Sequence, residues 1–177
     1  MVYYSILCHI HGILGFRFNK SGFEQKARYN IVIALIGENC TGKSTLANAL
    51  KEQLGAEVYS GKDYLRLAKS EAEAKQKFQA LLSAHIEPNT ATLIYVISEK
   101  EHIALLPKGA LRVLVTAELP VIQERFARRT GGKLPPPLAA MLEKKHGMFD
   151  AEPHDILIKS GEMSTDAACA AIVERMK

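Results

Sequence analysis

The chain has 177 residues, of which 47% are hydrophobic and 24% are charged, enough for one domain with a substantial core. This balance excludes a disordered chain, and 12 glycines with 7 prolines exclude a collagenous or low-complexity one. The net charge of +4 is too mild to indicate nucleic-acid binding by itself. The scattered Cys8, Cys40 and Cys169 lack the spacing of a metal site, which predicts free thiols in a reducing, cytoplasmic compartment.

Residues 1–29 are predicted to be an extension that precedes a domain at 30–177. The run 2–18 is mostly apolar, but polar residues and glycines interrupt it, whereas a membrane helix needs about 20 consecutive apolar residues. Its basic residues follow the apolar run, unlike those of a secretory signal. We therefore expect no membrane association. Two interpretations stay open: the extension packs on the domain, or it results from a start codon upstream of the native one.

In chain order, the apolar patterns predict alternating strands and helices. The β-branched run at 31–36 is typical of a strand buried on both faces. The apolar spacing over 43–54, ended by Gly55, predicts a helix. Further strands are predicted at 56–59, 92–97, 111–115 and 155–158. Further helices are predicted at 64–86, 119–129, 136–146 and 164–176. This alternation predicts a three-layer α/β domain in which helices flank a five-stranded parallel sheet.

The loop between the first buried strand and the first helix has the sequence GENCTGKS, which matches GxxxxGK[ST] at every fixed position. In this P-loop motif, backbone N–H groups and the helix N-terminus surround a phosphate. We predict that Lys43 reaches the β- and γ-phosphates of ATP and that Ser44 offers its hydroxyl to Mg²⁺. The predicted nucleotide-binding residues are Gly37, Glu38, Asn39, Cys40, Thr41, Gly42, Lys43, Ser44 and Thr45.

Three further stretches, taken in order with the P-loop, resemble the small P-loop kinases of the adenylate, shikimate and gluconate kinase group. The stretch SGKDYLR at 60–66 is similar to the TGDxLR and DGDxLH stretches of that group. The stretch RFARRTG at 125–131 resembles the segment that leads into their lid, and 134–150 resembles the lid itself. The resemblance covers about 31–177 and implies the P-loop kinase fold, with a lid-like insertion at about 130–150.

Basic residues concentrate in and before the predicted lid. Arg125 and Arg129 are four residues apart and share one face of a helix. The resemblance implies that both are catalytic and contact the nucleotide or the transferred phosphate; a solvated basic face is the alternative. Lys133 is expected on the moving lid loop, facing the anionic substrate. Closing such a lid excludes water and so prevents hydrolysis of ATP.

The sequence indicates fewer residues for the acceptor site than for the nucleotide site. Asp63 follows the second strand at the carboxyl edge of the sheet, where ligands bind in such folds. It is predicted to orient the acceptor or hold Mg²⁺ through water, or else to cap a helix. Arg66 is predicted to hold an acceptor anion. The Asp-Gly-x-Pro-Arg element of adenylate kinases is absent after the third strand, and Glu99 is either its substitute or an ordinary first-turn acid.

Together these features predict an ATP- and Mg²⁺-dependent kinase that phosphorylates a nucleoside monophosphate or a similar small anionic acceptor. A sugar acid or related metabolite is the alternative acceptor. A regulatory protein that binds ATP without transferring phosphate is the alternative class. We expect no nucleic-acid partner because no aromatic residues interleave with the basic ones, and the sequence leaves the assembly open between a monomer and a homodimer.

Overall fold

The computed structural model describes residues 31–86 and 90–177, together with the backbone of two short strands, Arg17–Phe18 (β1) and Glu24–Gln25 (β2). These two strands pair antiparallel with each other. The predicted extension at 1–29 otherwise lies outside the described residues. Within the described part of the chain, no helix has both the length and the apolar character needed to cross a bilayer.

The central sheet has five strands in the order β4-β5-β3-β6-β7, and every neighbouring pair is parallel. This confirms the predicted five-stranded parallel sheet. The central strand β3 is fully buried, as its continuous apolar sequence predicts. The strands are β3 at Val32–Ile36, β4 at Glu57–Ser60, β5 at Leu93–Ile97, β6 at Leu111–Thr116 and β7 at Ile156–Lys159.

Helices cover both faces of this sheet and complete the predicted three layers. Ile33 and Leu35 of β3 point to the face covered by α1 and α5, whereas Val32, Ala34 and Ile36 point to the face covered by α2. Helices α3 and α4 pack together beside the P-loop. The helices are α1 at Lys43–Leu54, α2 at Glu71–Ala84, α3 at Leu119–Arg129, α4 at Pro136–Lys145 and α5 at Thr165–Arg175.

The prediction of one continuous helix over 64–86 is wrong. A short 3₁₀ helix spans Asp63–Leu67, and α2 begins only at Glu71. The Ser70 hydroxyl accepts a hydrogen bond from the N–H of Glu73 at 3.3 Å and caps α2. The rings of Tyr64 and Phe78 stack with centroids 5.4 Å apart, whereas a continuous helix would separate these residues by about 21 Å along its axis. The chain must therefore turn between them, so that both rings enter one core.

A second 3₁₀ helix, Lys100–Leu105, follows β5, where the sequence predicted no element. It buries His102 and Leu105 against the α2 side of the sheet. The two 3₁₀ helices therefore follow neighbouring parallel strands, β4 and β5, at the carboxyl edge of the sheet. This is the edge at which parallel α/β folds bind their ligands.

Candidate active site

The P-loop joins β3 to α1 and passes close to two neighbouring strands. The N–H of Gly37 donates to the carbonyl oxygen of Ile97, at the end of β5, over 3.2 Å. Gly37 has φ 153°, and a Cβ there would lie 2.2 Å from the carbonyl oxygen of Val115 in β6. Gly42 has φ 102°, and its Cβ would lie 3.0 Å from Ser160 Oγ. The positive φ favours glycine at both positions, and the close approach of the β6 backbone additionally requires glycine at Gly37.

The start of α1 is built to receive an anion. Its N-cap is Gly42, which has no side chain to cap the first-turn N–H groups. Those donors carry the positive end of the helix dipole. The Thr41 hydroxyl instead donates to the carbonyl oxygen of Glu38 at 3.0 Å and closes the loop on itself. Ser44 is exposed in the first turn, next to Lys43.

Lys43 is the buried cation of this loop, with 5% of the residue exposed. Its ammonium group donates to the carbonyl oxygens of Gly37, at 2.8 Å, and of Glu38. Burial lowers its pKa to about 8; Cys40 and Glu38 oppose that shift, and the nearby Arg129 adds to it. A phosphate placed at this ammonium group would favour the charged form.

Arginines of α3 line a cavity of about 500 Å³ beside the P-loop, which we call the arginine cavity. The guanidinium Nη1 of Arg125 donates to the carbonyl oxygen of Cys40 at 3.1 Å and to Ser160 Oγ at 2.9 Å. Arg125 thus ties α3 to the P-loop and to the loop after β7. The cavity is lined by Cys40, Gly42, Thr45, Arg125, Arg128, Arg129, Ser160 and Thr165. Arg128 is paired with Glu124 on the same helix, whereas Arg125 and Arg129 form no salt bridge with a described carboxylate, so the cavity suits an anionic ligand.

The segment predicted to be the lid lies against the P-loop. The Glu38 carboxylate accepts a hydrogen bond from the N–H of Gly147 at 2.6 Å, and its second oxygen lies 3.3 Å from His146 Nδ1. Leu142 of α4 packs in one apolar cluster with Cys40 of the P-loop. Lys133 is exposed on the loop between α3 and α4. Its carbonyl oxygen accepts a hydrogen bond from the Thr130 hydroxyl at 2.7 Å.

A second cavity, of about 760 Å³, opens at the end of β5, and we call it the β5 cavity. Ser98 and Glu99 line it directly after β5, and Lys145 and Met148 line it from the segment that holds Glu38. No P-loop residue lines this cavity, but the N–H of Gly37 is bonded to Ile97, the residue that precedes Ser98 in the chain. The other lining residues are Lys62, Tyr64, Glu71, Lys75, Gln79, Lys100, Glu101, His102, Ala104 and Leu105.

Asp63 and Arg66 lie near the β5 cavity in sequence, but they are not among the residues that line it. The Asp63 carboxylate accepts a hydrogen bond from the N–H of Ser60 at 2.8 Å, which closes the turn after β4. The Arg66 guanidinium lies over the Tyr59 ring, 4.8 Å from its centroid. Both residues are exposed. The structure therefore gathers Lys43, Arg125 and Arg129 at the P-loop and holds Asp63 and Arg66 after β4, which β5 separates from β3.

Several residues of this region were not predicted from the sequence. Ser160 reaches the P-loop only because β7 ends beside it, and Tyr64 and His102 meet at the β5 cavity only in the folded chain. Lone serine, tyrosine and histidine residues carry no motif. The one available signal was the position of Ser160 just after a predicted strand, at the carboxyl edge of the sheet.

Comparisons with solved structures match this architecture to small P-loop kinases. An uncharacterized protein from Eubacterium ventriosum aligns with a TM-score of 0.62 at 20% identity, covering 82% of this chain and 98% of that chain. Shikimate kinase from Acinetobacter baumannii aligns with a TM-score of 0.57 at 15% identity, covering 82% and 92%. A gluconokinase from Sinorhizobium meliloti aligns with a TM-score of 0.53 at 15% identity, covering 84% and 97%.

The chain therefore has the small P-loop kinase fold, as the sequence resemblance implied. No family model matches the sequence, and no curated protein matches it. The similarity is one of fold, at sequence identities of 15 to 20% for these three structures.

Proposed function

We propose that the protein is a kinase that transfers the γ-phosphoryl group of ATP to a small anionic acceptor. The observation that carries this proposal is the position of the P-loop, whose residues line the arginine cavity and whose first glycine is bonded to the strand that opens into the β5 cavity. Phosphoryl transfer requires an acceptor to meet the terminal phosphate of ATP at the phosphate-binding loop, and this arrangement supports such a reaction.

The arginine cavity is the proposed site of ATP. The first-turn N–H groups of α1 and the Lys43 ammonium group would hold the phosphates, and Arg125 and Arg129 would neutralise their charge. The fit rests on Gly37, which leaves no room for a Cβ, on Gly42, whose positive φ favours glycine, and on the uncapped start of α1. The exposed Ser44 hydroxyl would be the protein ligand of Mg²⁺, with phosphate oxygens and water completing the shell. When bound, Mg²⁺ would stabilise the charge that develops on the phosphates.

The β5 cavity is the proposed site of the acceptor. An acceptor oxygen forms a bond to the γ-phosphorus while the bond from that phosphorus to the β,γ-bridging oxygen breaks, and ADP leaves with the electron pair. A proton on the attacking oxygen passes to a carboxylate or to water. Glu99 lines the cavity and is one candidate for this carboxylate. Asp63, held by Ser60 at the adjacent strand end, is the other.

The lining of the β5 cavity suits a hydroxylated organic acid as the acceptor. The ammonium groups of Lys62 and Lys145 line it without a salt bridge to any described residue, whereas Lys75 pairs with Glu71 at 2.9 Å and Lys100 with Glu152 at 3.1 Å. Two unpaired cations suit a carboxylate or phosphate of the acceptor. Nine of the other twelve lining residues have polar side chains, which suits hydroxyl groups on the acceptor.

Measuring ADP formation against a panel of acceptors tests this proposal. The panel contains gluconate, shikimate and the four common nucleoside monophosphates. We expect one of the two acids to raise ADP formation at least tenfold above the rate with ATP alone, and we expect no increase when Arg125→Met replaces the wild type. Preferential phosphorylation of a nucleoside monophosphate would reverse our choice of acceptor. Tight ATP binding without acceptor-dependent ADP formation by any panel member would favour the regulatory alternative.

The lowered pKa of Lys43 predicts that ATP binding takes up a proton above pH 8. In the free protein the ammonium group loses its proton as the pH rises through about 8, whereas bound phosphates favour the charged form and raise the pKa. The affinity for Mg²⁺-ATP is therefore expected to fall about fivefold from pH 8 to pH 9. The terminal phosphate is already ionised in this range.

Isothermal titration calorimetry in buffers of different ionisation enthalpy measures this proton uptake. At pH 8.5 we expect an uptake of about half a proton or more for each ATP bound. In Lys43→Met the uptake should disappear. An uptake that is the same in wild type and variant would assign the titration to another group.

A further inference from the structure

Two polar atoms at the β5 cavity are buried without a partner. In the part of the chain that the structure describes, the Tyr64 hydroxyl and His102 Nδ1 are the buried side-chain polar atoms that make no hydrogen bond. Their residues are 0% and 4% exposed, and both line the cavity. Folded proteins pair almost all of their buried polar groups, because an unpaired one costs free energy. Two such atoms at one cavity therefore indicate a ligand group that pairs with them.

Both rings are held in place by other contacts. Tyr64 stacks on Phe78 with ring centroids 5.4 Å apart. His102 meets the edge of Tyr64 with centroids 5.9 Å apart, and its Nε2 faces a carboxylate oxygen of Glu99 at 3.7 Å. The two side chains come from the 3₁₀ helices that follow neighbouring strands. The two rings therefore occupy fixed positions among the residues that line the cavity.

A neighbouring tyrosine of the same aromatic cluster is paired within the protein. Tyr95 packs against Phe78 with centroids 4.8 Å apart, and its hydroxyl donates to the carbonyl oxygen of Gly61 at 3.0 Å. Burial, with the nearby Tyr64, Glu99 and Asp63, raises the pKa of Tyr95, so its hydroxyl stays protonated and remains a donor. The fold thus supplies a partner for the hydroxyl of Tyr95 and none for the hydroxyl of Tyr64, the tyrosine that lines the cavity.

A hydroxyl group is the ligand group that matches this pair. Nδ1 of His102 accepts a hydrogen bond in the tautomer that carries its proton on Nε2. Tyr64 can donate through its own hydroxyl. A hydroxyl group accepts from one partner and donates to the other, whereas a carboxylate cannot donate and an ammonium group cannot accept.

We propose that Tyr64 and His102 together bind one hydroxyl group of the acceptor and thereby select hydroxyl-bearing molecules. This inference rests on the proposed function only in naming that ligand as the acceptor. The two residues are specificity-determining residues, and the phosphoryl transfer is left to the groups at the P-loop. An acceptor without a hydroxyl at this position would leave both atoms unpaired and bind more weakly.

The variant Tyr64→Phe tests this inference, because it deletes one atom that has no partner in the protein. Without ligand, its melting temperature is expected to equal or exceed that of the wild type. The matched control is Tyr95→Phe, which loses the bond to Gly61 and should melt at a lower temperature. A fall in the melting temperature of Tyr64→Phe as large as that of Tyr95→Phe would mean that the Tyr64 hydroxyl is already paired. That result would overturn the inference.

Binding is measured by calorimetry with gluconate and shikimate as probes and with hexanoate as an acid that lacks hydroxyl groups. We expect at least one hydroxylated probe to bind wild type and Tyr95→Phe alike, to bind Tyr64→Phe at least tenfold more weakly, and to bind far better than hexanoate. His102→Gln should show a similar loss. His102→Asn, whose amide lies nearer the position of Nδ1, should recover part of the affinity.

The outcomes separate this inference from the proposed function. Failure of both hydroxylated probes to bind wild type, or equal affinity in wild type and Tyr64→Phe, overturns the hydroxyl-binding pair. If a probe binds as expected but no ADP forms with it, the pair is supported and its role toward a phosphoryl acceptor fails. If ADP forms with equal acceptor affinity in Tyr64→Phe, the kinase proposal is supported and the pair is overturned.

Discussion

Replacing Lys43 by methionine is expected to lower acceptor-dependent ADP formation by about 100- to 1,000-fold while leaving the melting temperature nearly unchanged. The ammonium group is a buried charge whose pKa falls to about 8 because burial disfavours the charged form. Replacing such a charge by an apolar side chain of similar length removes this desolvation cost, although the carbonyl oxygens of Gly37 and Glu38 lose a donor. Folding therefore loses little, whereas the transferred phosphate loses a cation.

Steady-state kinetics and thermal melting, measured on the same samples, check this prediction. The control is Lys51→Met, a lysine of the last turn of the same helix that is exposed. We expect that control to retain wild-type activity and stability. A large fall in the melting temperature of Lys43→Met with intact activity would mean that Lys43 serves the fold and not the transfer.

Replacing Gly37 by alanine is expected to cost at least about 3 kcal/mol of unfolding free energy. The added Cβ would lie 2.2 Å from the carbonyl oxygen of Val115, and the backbone has φ 153°. Neither the P-loop nor β6 can move away freely, because Gly37 is also hydrogen-bonded to Ile97 of β5. For a chain of this size the melting temperature should fall by about 6 to 12 °C.

Gly55→Ala is the matched control, since Gly55 also has a positive φ, of 67°, but no atom lies within 4 Å of the added Cβ. It should cost only about 1 kcal/mol, from backbone strain alone. Comparing the unfolding free energies of both variants in urea separates the cost of the contact with Val115 from the cost of the backbone strain. Equal losses in the two variants would show that the contact with Val115 relaxes at little cost.

The sequence by itself determined the features that depend on short stretches of chain. The β-branched run of β3 predicted a strand buried on both faces, and the GxxxxGK[ST] spacing predicted a phosphate-binding loop, because glycine positions set the conformation of such a loop. The same stretch supplies Lys43, and the four-residue spacing of Arg125 and Arg129 predicted their common face. Both arginines line the cavity beside the P-loop, and their roles in transfer remain predictions.

Tertiary structure decided the features that join distant residues. The continuous helix predicted over 64–86 fails because Tyr64 and Phe78 must enter one core, which local propensity does not record. The bond from Gly147 to Glu38 joins residues 109 positions apart, and the bond from Arg125 to Ser160 spans 35. Tyr64 and His102 meet only because the sheet places β4 beside β5. Hydrophobic periodicity encodes which residues are buried, but the packing of the sheet and helices decides which polar groups find partners and which face a cavity.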